Sequence, residues 1–385
     1  MPFSGSTFAN VSGASSAAAG QIIQSAVWNA IHVDYSDAFT QVLTQLVSTM
    51  SNRNVAWMNG GFEVWQRGAG AAASIAVGAS STAYTADRWY ITTGANQAST
   101  ISAQVGLSDN SIFCCRVQRN AAQTGTTAVV FGYPLDIDEL IRMRGQKVTL
   151  SFLASTGANW SPTNGTLTAS LFVGTGTVGK RGGGFTSETT VVTISTNLAA
   201  GSSATSISGT SSAVVPTTAT QGEIQFTWTP TGTAGAADYF NVDNLQLEAN
   251  QTTTTWTPTN FDRIPFERCV EGCKTHYQKT FAYTVAPASG GGIENSLSVL
   301  ISPAAATISL WWQLPTEMRT DPTFSKFHVV TATGSNWYSL TTSATVSAII
   351  QSSIGNTKGV FIFSTTASTV AENTYLLHMQ ADAGI

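Results

Sequence analysis

A chain of 385 residues with net charge −4 and only 10% charged residues is long enough for two or three cores. It is too poor in clustered Lys and Arg to neutralise a nucleic-acid backbone, and no run of about 18 apolar residues offers a membrane span. Hydrophobic content of 42% with little net charge argues against disorder, and Ser plus Thr, about a quarter of the chain, with 34 Gly point to Thr-rich strands joined by tight turns. Residues 1–18 are Ser, Gly and Ala with little to bury, which predicts an extended arm, and they lack the basic and apolar regions of a signal peptide, so folding in a cytosol is expected. From Ala19, the spacing of Ile22, Ile23, Val27, Trp28 and Ile31 predicts a short amphipathic helix. Ser36 caps a second helix, in which Ala38, Phe39, Val42, Leu43, Leu46, Val47 and Met50 recur at i, i+3, i+4 and i+7. That stripe packs either on the chain's own β structure or in a parallel bundle with copies of itself. The near absence of charge on its polar side and its terminal position favour the bundle, which makes Phe39, Val42 and Leu46 oligomerisation residues.

After Met58 the helical period disappears. Segments 84–91, 112–117, 128–133, 147–154, 166–173, 189–194, 223–228 and 240–247 predict strands with turn residues between them, and 136–143 a short helix ended at Arg144-Gly145. The stretch 59–68, Asn-Gly-Gly-Phe-Glu-Val-Trp-Gln-Arg-Gly, is expected to be the first strand, lying beside 240–247 as the last. In 147–154, Val148, Leu150 and Phe152 alternate with Thr149 and Ser151, which predicts one wet face. In the closing strand Phe240 and Val242 share one phase and Leu245 and Leu247 the other, so a bulge is expected at Asp243-Asn244. Pro265 opens a connector helix with Phe266, Val270, Cys273 and Tyr277 as its apolar stripe, and strands resume beyond Gly290-Gly291-Gly292. The fold class is therefore mainly β. An N-terminal helical segment (1–58) precedes a jelly-roll β-sandwich (59–262), a connector helix (263–283) and a second small β-sandwich (284–385).

Chemistry is sparse. Four His (32, 276, 328, 378) and 21 carboxylates stand in no catalytic motif, and no nucleophile elbow or phosphate loop is present, so the chain reads as no enzyme. The four Cys (114, 115, 269, 273) make no disulfide framework and read as buried reduced thiols. Cys269, Cys273 and His276 have helical spacing for a metal but lack a fourth ligand, so core packing is favoured. Trp160, in Gly-Ala-Asn-Trp-Ser-Pro, and Trp337-Tyr338, in Gly-Ser-Asn-Trp-Tyr, sit in turn-like contexts. They are candidate glycan-binding aromatics, although core or interface packing is the favoured reading for Trp160 and Trp337. Strands at 346–350 and 360–363 are apolar enough to aggregate as open edges, which favours burial between subunits.

Asn-Gly-x-Phe-Glu at 59–63 and Val-Asp-Asn-x-x-Leu-Glu closing at Glu248 resemble the galactose-binding-like jelly rolls of many carbohydrate-binding modules. In that family the opening Glu and closing Asp help hold a structural Ca²⁺, so the resemblance implies Glu63 and Asp243 as metal ligands. The alternative is that both carboxylates bond backbone or Arg groups, of which Asp87-Arg88 offers one. Asn-Gly-x-Phe-Glu-x-Trp-Gln-Arg-Gly followed by Ala86-Asp87-Arg88-Trp89 is similar to bacteriophage tail-fibre and tail-associated proteins. So are Leu245-Gln246-Leu247-Glu248, Pro265-Phe266-Glu267-Arg268 and Cys273-x-x-x-Tyr277-x-Lys279 in that order. The resemblance implies a homotrimeric virion appendage, assembled in the host cytoplasm, held to other virion proteins through its N-terminal segment and attached to host-surface polysaccharide by multivalent non-catalytic binding. The alternative is a structural virion component, such as a capsid fibre or tail collar, whose β domains bind other virion proteins.

Overall fold

The computed structural model describes residues 59–250, 256–301, 307–364 and 372–384, together with Ala38. Phe39, Val42 and Leu46 lie outside the described residues, as do the rest of the expected N-terminal helices. Twelve strands follow in chain order: β1 (Ser74–Val77), β2 (Thr82–Tyr84), β3 (Tyr90–Thr92), β4 (Ser99–Val105), β5 (Phe113–Arg119), β6 (Val129–Pro134), β7 (Lys147–Thr156), β8 (Thr166–Gly174), β9 (Thr189–Asn197), β10 (Thr205–Thr210), β11 (Gln221–Trp228) and β12 (Tyr239–Asn250). They form two antiparallel sheets, β1-β4-β5-β12-β7-β10 and β2-β3-β6-β11-β8-β9, facing each other as a β-sandwich. The core between them is aromatic at its centre. Trp89 stacks on Phe131 at 4.7 Å between centroids, Phe62 lies 4.9 Å from Trp89 and 6.3 Å from Phe131, and Phe152, Phe226, Phe240 and Trp228 continue the layer. The short helix α1 (Ile137–Ile141) starts at Asp136, whose backbone N–H is received by Glu139 in a capping box.

The bulge is where the sequence places it. Register shifts between Asp243 and Gln246, Asn244 takes a left-handed φ of 48°, and Phe240, Val242, Leu245 and Leu247 all reach the core. Residues 59–68, however, form turns rather than a strand, and the neighbours of β12 are β5 and β7. One bond replaces the expected pairing: Leu245 N–H, released from the ladder by the bulge, donates to Gly60 O at 3.0 Å. A β-carbon at Gly60 would collide with Leu245 O. Gly60→Ala is therefore expected to cost about 1–3 kcal/mol, measured by urea unfolding; an unchanged midpoint would show the contact to be slack.

Two further expectations are corrected. Segment 84–91 is not one strand but β2 and β3 joined by a turn in which Trp89 N–H donates to Ala86 O and Arg88 takes φ 73°. The outer face of β7 is covered rather than wet, because Thr149 and Ser151 are buried and the Thr149 hydroxyl pairs with that of Thr210 on edge strand β10. Strands β1, β4 and β10, rich in Ser, Ala and Gly, carry too little hydrophobic contrast to be recognised from pattern.

Helix α2 (Phe266–Lys274) buries Cys269 and Cys273 against Val64 with Val270 packed beside them, and Tyr277 is buried just beyond it, so of the predicted stripe only Phe266 is exposed. Beyond it lie β13 (Tyr277–Lys279), β14 (Leu297–Leu300), β15 (Ser309–Gln313), β16 (Thr323–Phe327), β17 (Trp337–Ser339), β18 (Thr345–Val346), β19 (Ile349–Asn356), β20 (Gly359–Phe363) and β21 (Thr374–Asp382). Strand β21 is the spine: its first half pairs with β14 and β17, its second with β13 and β16. A three-stranded sheet, β15-β20-β19, covers it, and Trp312, Trp337, Val360, Ile362, Leu377 and Met379 fill the core. The described residues from 59 onward belong to one compact unit.

Candidate functional site

Most of the motif residues hold the join between the sandwich and the C-terminal sheets. The Asn59 amide donates to Val64 O and Asp87 O, and its oxygen accepts from Val64 N–H, all at 2.9 Å. Asp87 accepts from Gln66 N–H (2.6 Å) and Gln66 Nε2 (2.9 Å), and Gln66 also donates to Tyr277 O. Tyr283 accepts from Trp65 N–H and donates to Glu63 O. Arg67 pairs with Asp382 at 2.7 Å and lies over the rings of Tyr84 and Tyr277. Deepest is Arg88, which bonds Asp136, Glu139, Pro134 O and His276; Arg319 approaches Asp136 from the distal side. His276 thus holds a charge network instead of serving as a metal ligand beside Cys269 and Cys273.

Strongly perturbed carboxyls often mark catalytic sites. Here Asp87, Glu139, Glu223 and Asp243 are all pushed up, chiefly by burial. Yet protein donors meet both oxygens of each. Glu223, on the outer side of β11, accepts from Tyr90 Oη (2.5 Å), Gln225 Nε2 (2.6 Å) and Arg181 N–H (2.7 Å). Glu139 accepts from Tyr133 Oη on one oxygen and from Asp136 N–H and Arg88 on the other.

The predicted metal ligands do come close enough for Glu63 to raise the Asp243 carboxyl further. Their oxygens, however, face donors. Asp243 accepts from Leu107 N–H, Ser111 Oγ and Asn244 N–H, and Glu63 pairs with Arg263. Among the described residues no three His, Cys, Asp or Glu are grouped so as to hold a metal ion. This donor set does not fit Ca²⁺, which needs several free oxygens.

Of the predicted aromatics, Trp160 is 6% exposed, packs on Phe240 and Trp228, and donates its indole N–H to Gly165 O. Trp337 is fully buried at the start of β17, within the strand expected at 337–342. Neither offers a ring face to solvent. Tyr338, next in the strand, points outward with its hydroxyl on Ser343 Oγ.

The exposed tryptophan of the C-terminal sheets is Trp311, at 38%. Adjacent residues in a strand face opposite ways, so Trp311-Trp312 must split, with Trp312 entering the core. On the outer face Trp311 stands opposite Phe361 and then Gln351, and Ser309 opposite Phe363 and Ile349. The Phe361 and Phe363 rings lie 6.2 Å apart with 28° between their planes. A β-carbon at Gly359 would sit 2.9 Å from two Trp311 ring carbons, so the indole lies flat across that glycine; its N–H is fixed by Gln313 Oε1 at 3.0 Å. The result is a rigid, uncharged aromatic platform edged by side-chain amides. The adjacent Trp pair was the available sequence signal for it.

No family model and no curated protein matches this chain. Solved structures to which it is similar include the enzymatically active domain of tailspike protein 4 from bacteriophage CBA120 (14% identity, TM-score 0.30, covering 51% of this chain and 22% of that one). Others are the CBM22-1–GH10 modules of Clostridium thermocellum xylanase 10B (12%, 0.28, 51% and 29%) and the N-terminal cellulose-binding domain of Cellulomonas fimi β-1,4-glucanase C (14%, 0.25, 49% and 93%). The chain spans less than a third of the first two. At these scores nothing about function follows from the likeness.

Proposed function

We propose that this chain is a bacteriophage virion appendage, tail-fibre or spike-like, that attaches to host-surface glycans without cleaving them. The observation that carries this reading is the platform of Trp311, Phe361 and Phe363: flat rings held in place before any ligand arrives, with Gln313 and Gln351 at their edges. Apolar sugar faces stack on such rings while amides receive the hydroxyls, and little ordering entropy opposes binding. The ordered motifs from 59 to 279 support the virion assignment, and the occupied carboxylates at Asp87, Glu139, Glu223 and Asp243 support non-catalytic binding. In a homotrimer joined to other virion proteins through residues 1–58, three weak platforms act together, and avidity supplies the affinity.

The test is a glycan array of bacterial surface polysaccharides probed with the full chain. Binding is expected, and Trp311→Ala is expected to weaken it about 10–30-fold; wild-type protein that binds no polysaccharide would refute the attachment role. The apolar character of Phe361, Phe363 and Ile349 favours a second reading, in which this face contacts another virion protein or a second copy. In that case Trp311→Ala would change oligomeric state by mass photometry while glycan binding, if any, stayed constant.

A further inference from the structure

The corner formed by Glu63, Asp243 and Gly60 brings two acidic side chains together beside the bulge of β12. The groups that face them are donors. Arg263 Nε lies 2.6 Å from Glu63 Oε1. Two backbone N–H groups and the Ser111 hydroxyl occupy the Asp243 carboxylate. The nearby acceptors are engaged as well: Gly60 O by Leu245 N–H, Glu63 O by Tyr283 Oη, and Asn59 Oδ1 by Val64 N–H. The gap lined by Gly60, Gly61, Glu63, Phe261, Arg263 and Ile264 has a volume of ≈ 10 Å³. That is about the smallest space that holds one water, and Asp243 is not among its lining residues, so the gap beside Arg263 does not open onto both carboxylates.

We propose that Arg263 is the resident cation at Glu63, with Asp243 satisfied separately by neutral donors, so that the sandwich is closed by a tethered guanidinium and not by a bound divalent ion. The outward side chains of β12 deliver it. Glu248 accepts from Thr259 N–H (3.1 Å) and Thr259 Oγ1 (2.7 Å), and Gln246 accepts from Asp262 N–H (2.8 Å) while donating to Thr259. Phe261 meanwhile covers Gly60 and Gly61. Residues 259–263 are thus laid along β12 with Arg263 ending on Glu63, one turn of chain before α2. A metal ion would neutralise the corner wherever the next segment lay. A side chain does so only when that segment is docked, so charge neutralisation and seating of α2 become one event. Gln246 and Glu248, outward-facing on the closing strand, aim the arginine through the bonds they make to Thr259 and Asp262.

Thermal melts of the full chain with added CaCl₂ or with EDTA test this, together with metal analysis of the purified protein. Wild type is expected to melt at the same temperature in both and to carry no stoichiometric calcium. Arg263→Ala is expected to lower Tm by about 2–6 °C, equally with CaCl₂ and with EDTA. A calcium-dependent rise in wild-type Tm, calcium near one per chain, or an unchanged Arg263→Ala would each overturn the proposal. Should the alanine variant fail to fold, Arg263→Lys decides: it keeps a cation on the same tether and is expected to stay insensitive to both additives.

Discussion

An Arg88→Met variant is expected to lose about 3–5 kcal/mol of stability, seen as a fall in Tm of about 10 °C in a circular-dichroism melt. The Arg88 side chain has no solvent exposure. Its Nη1 lies 2.7 Å from Asp136 Oδ2 and 2.8 Å from His276 Nε2, and its Nη2 lies 2.7 Å from Pro134 O and 3.1 Å from Glu139 Oε2. The guanidinium also covers the Tyr133 ring at 4.9 Å. Methionine fills similar space but leaves Glu139, 2% exposed, without its counter-charge, and removing one member of a buried ion network costs more than the network contributes. Backbone strain at φ 73° is common to both residues, so the difference reports the side chain alone. Because Asp136 belongs to the sandwich and His276 to the segment before β13, the variant is also expected to expose 275–285 to protease before the sandwich itself. A Tm within about 2 °C of wild type would mean that water replaces the arginine freely.

The sequence showed the β class, eight strands of the sandwich at least in part, the bulge at Asp243-Asn244 and the connector helix, because each rests on hydrophobic period or turn chemistry. It hid the opening stretch for an identifiable reason. Phe62, Val64 and Trp65 are all buried, which mimics a strand, but the Asn59 side chain makes the bonds that a neighbouring strand would make. Bonds from a side chain to backbone 28 residues away leave no periodic trace. Trp337 opens a strand at 337–342 in the sequence and is buried as core, the favoured reading for it, although Gly-Ser-Asn before it also reads as a turn; the same chain signals Trp311 by the need of adjacent tryptophans to part. The Arg88 network was invisible because Asp136, His276 and Arg319 meet only after both β assemblies have formed. Glu63 and Asp243 lie near enough to influence each other electrostatically although the strands expected to carry them do not pair, and the arginine that answers Glu63 lies about 200 residues beyond it.

Acidification is expected to weaken the join through His276. Burial, with the Arg88 guanidinium second, pushes its imidazole down to about 4 from an ordinary value near 6.5. Between those two values the unfolded chain binds a proton that the folded chain refuses, so stability falls as pH falls, by about 3 kcal/mol across the window. Arg88 and Arg319 both oppose the protonated ring, and Asp136, 2.9 Å from Nε2, favours it without prevailing. Asp136 itself is held well below the ordinary carboxylate range by Arg88, His276 and Arg319, so its own loss of stability begins only below about pH 4. The raised carboxyls of Asp87, Glu139, Glu223 and Asp243 act in the opposite direction, since the folded state takes up their protons first. His328 and His378, both pushed down by burial, add to the loss. A His276→Gln variant cancels these shared contributions: relative to it, wild type is expected to lose about 3 kcal/mol between about pH 6.5 and pH 4 in urea unfolding. Parallel curves for the two proteins would show that the ring titrates normally, and that Arg88 and Arg319 hold the join without needing a neutral histidine between them.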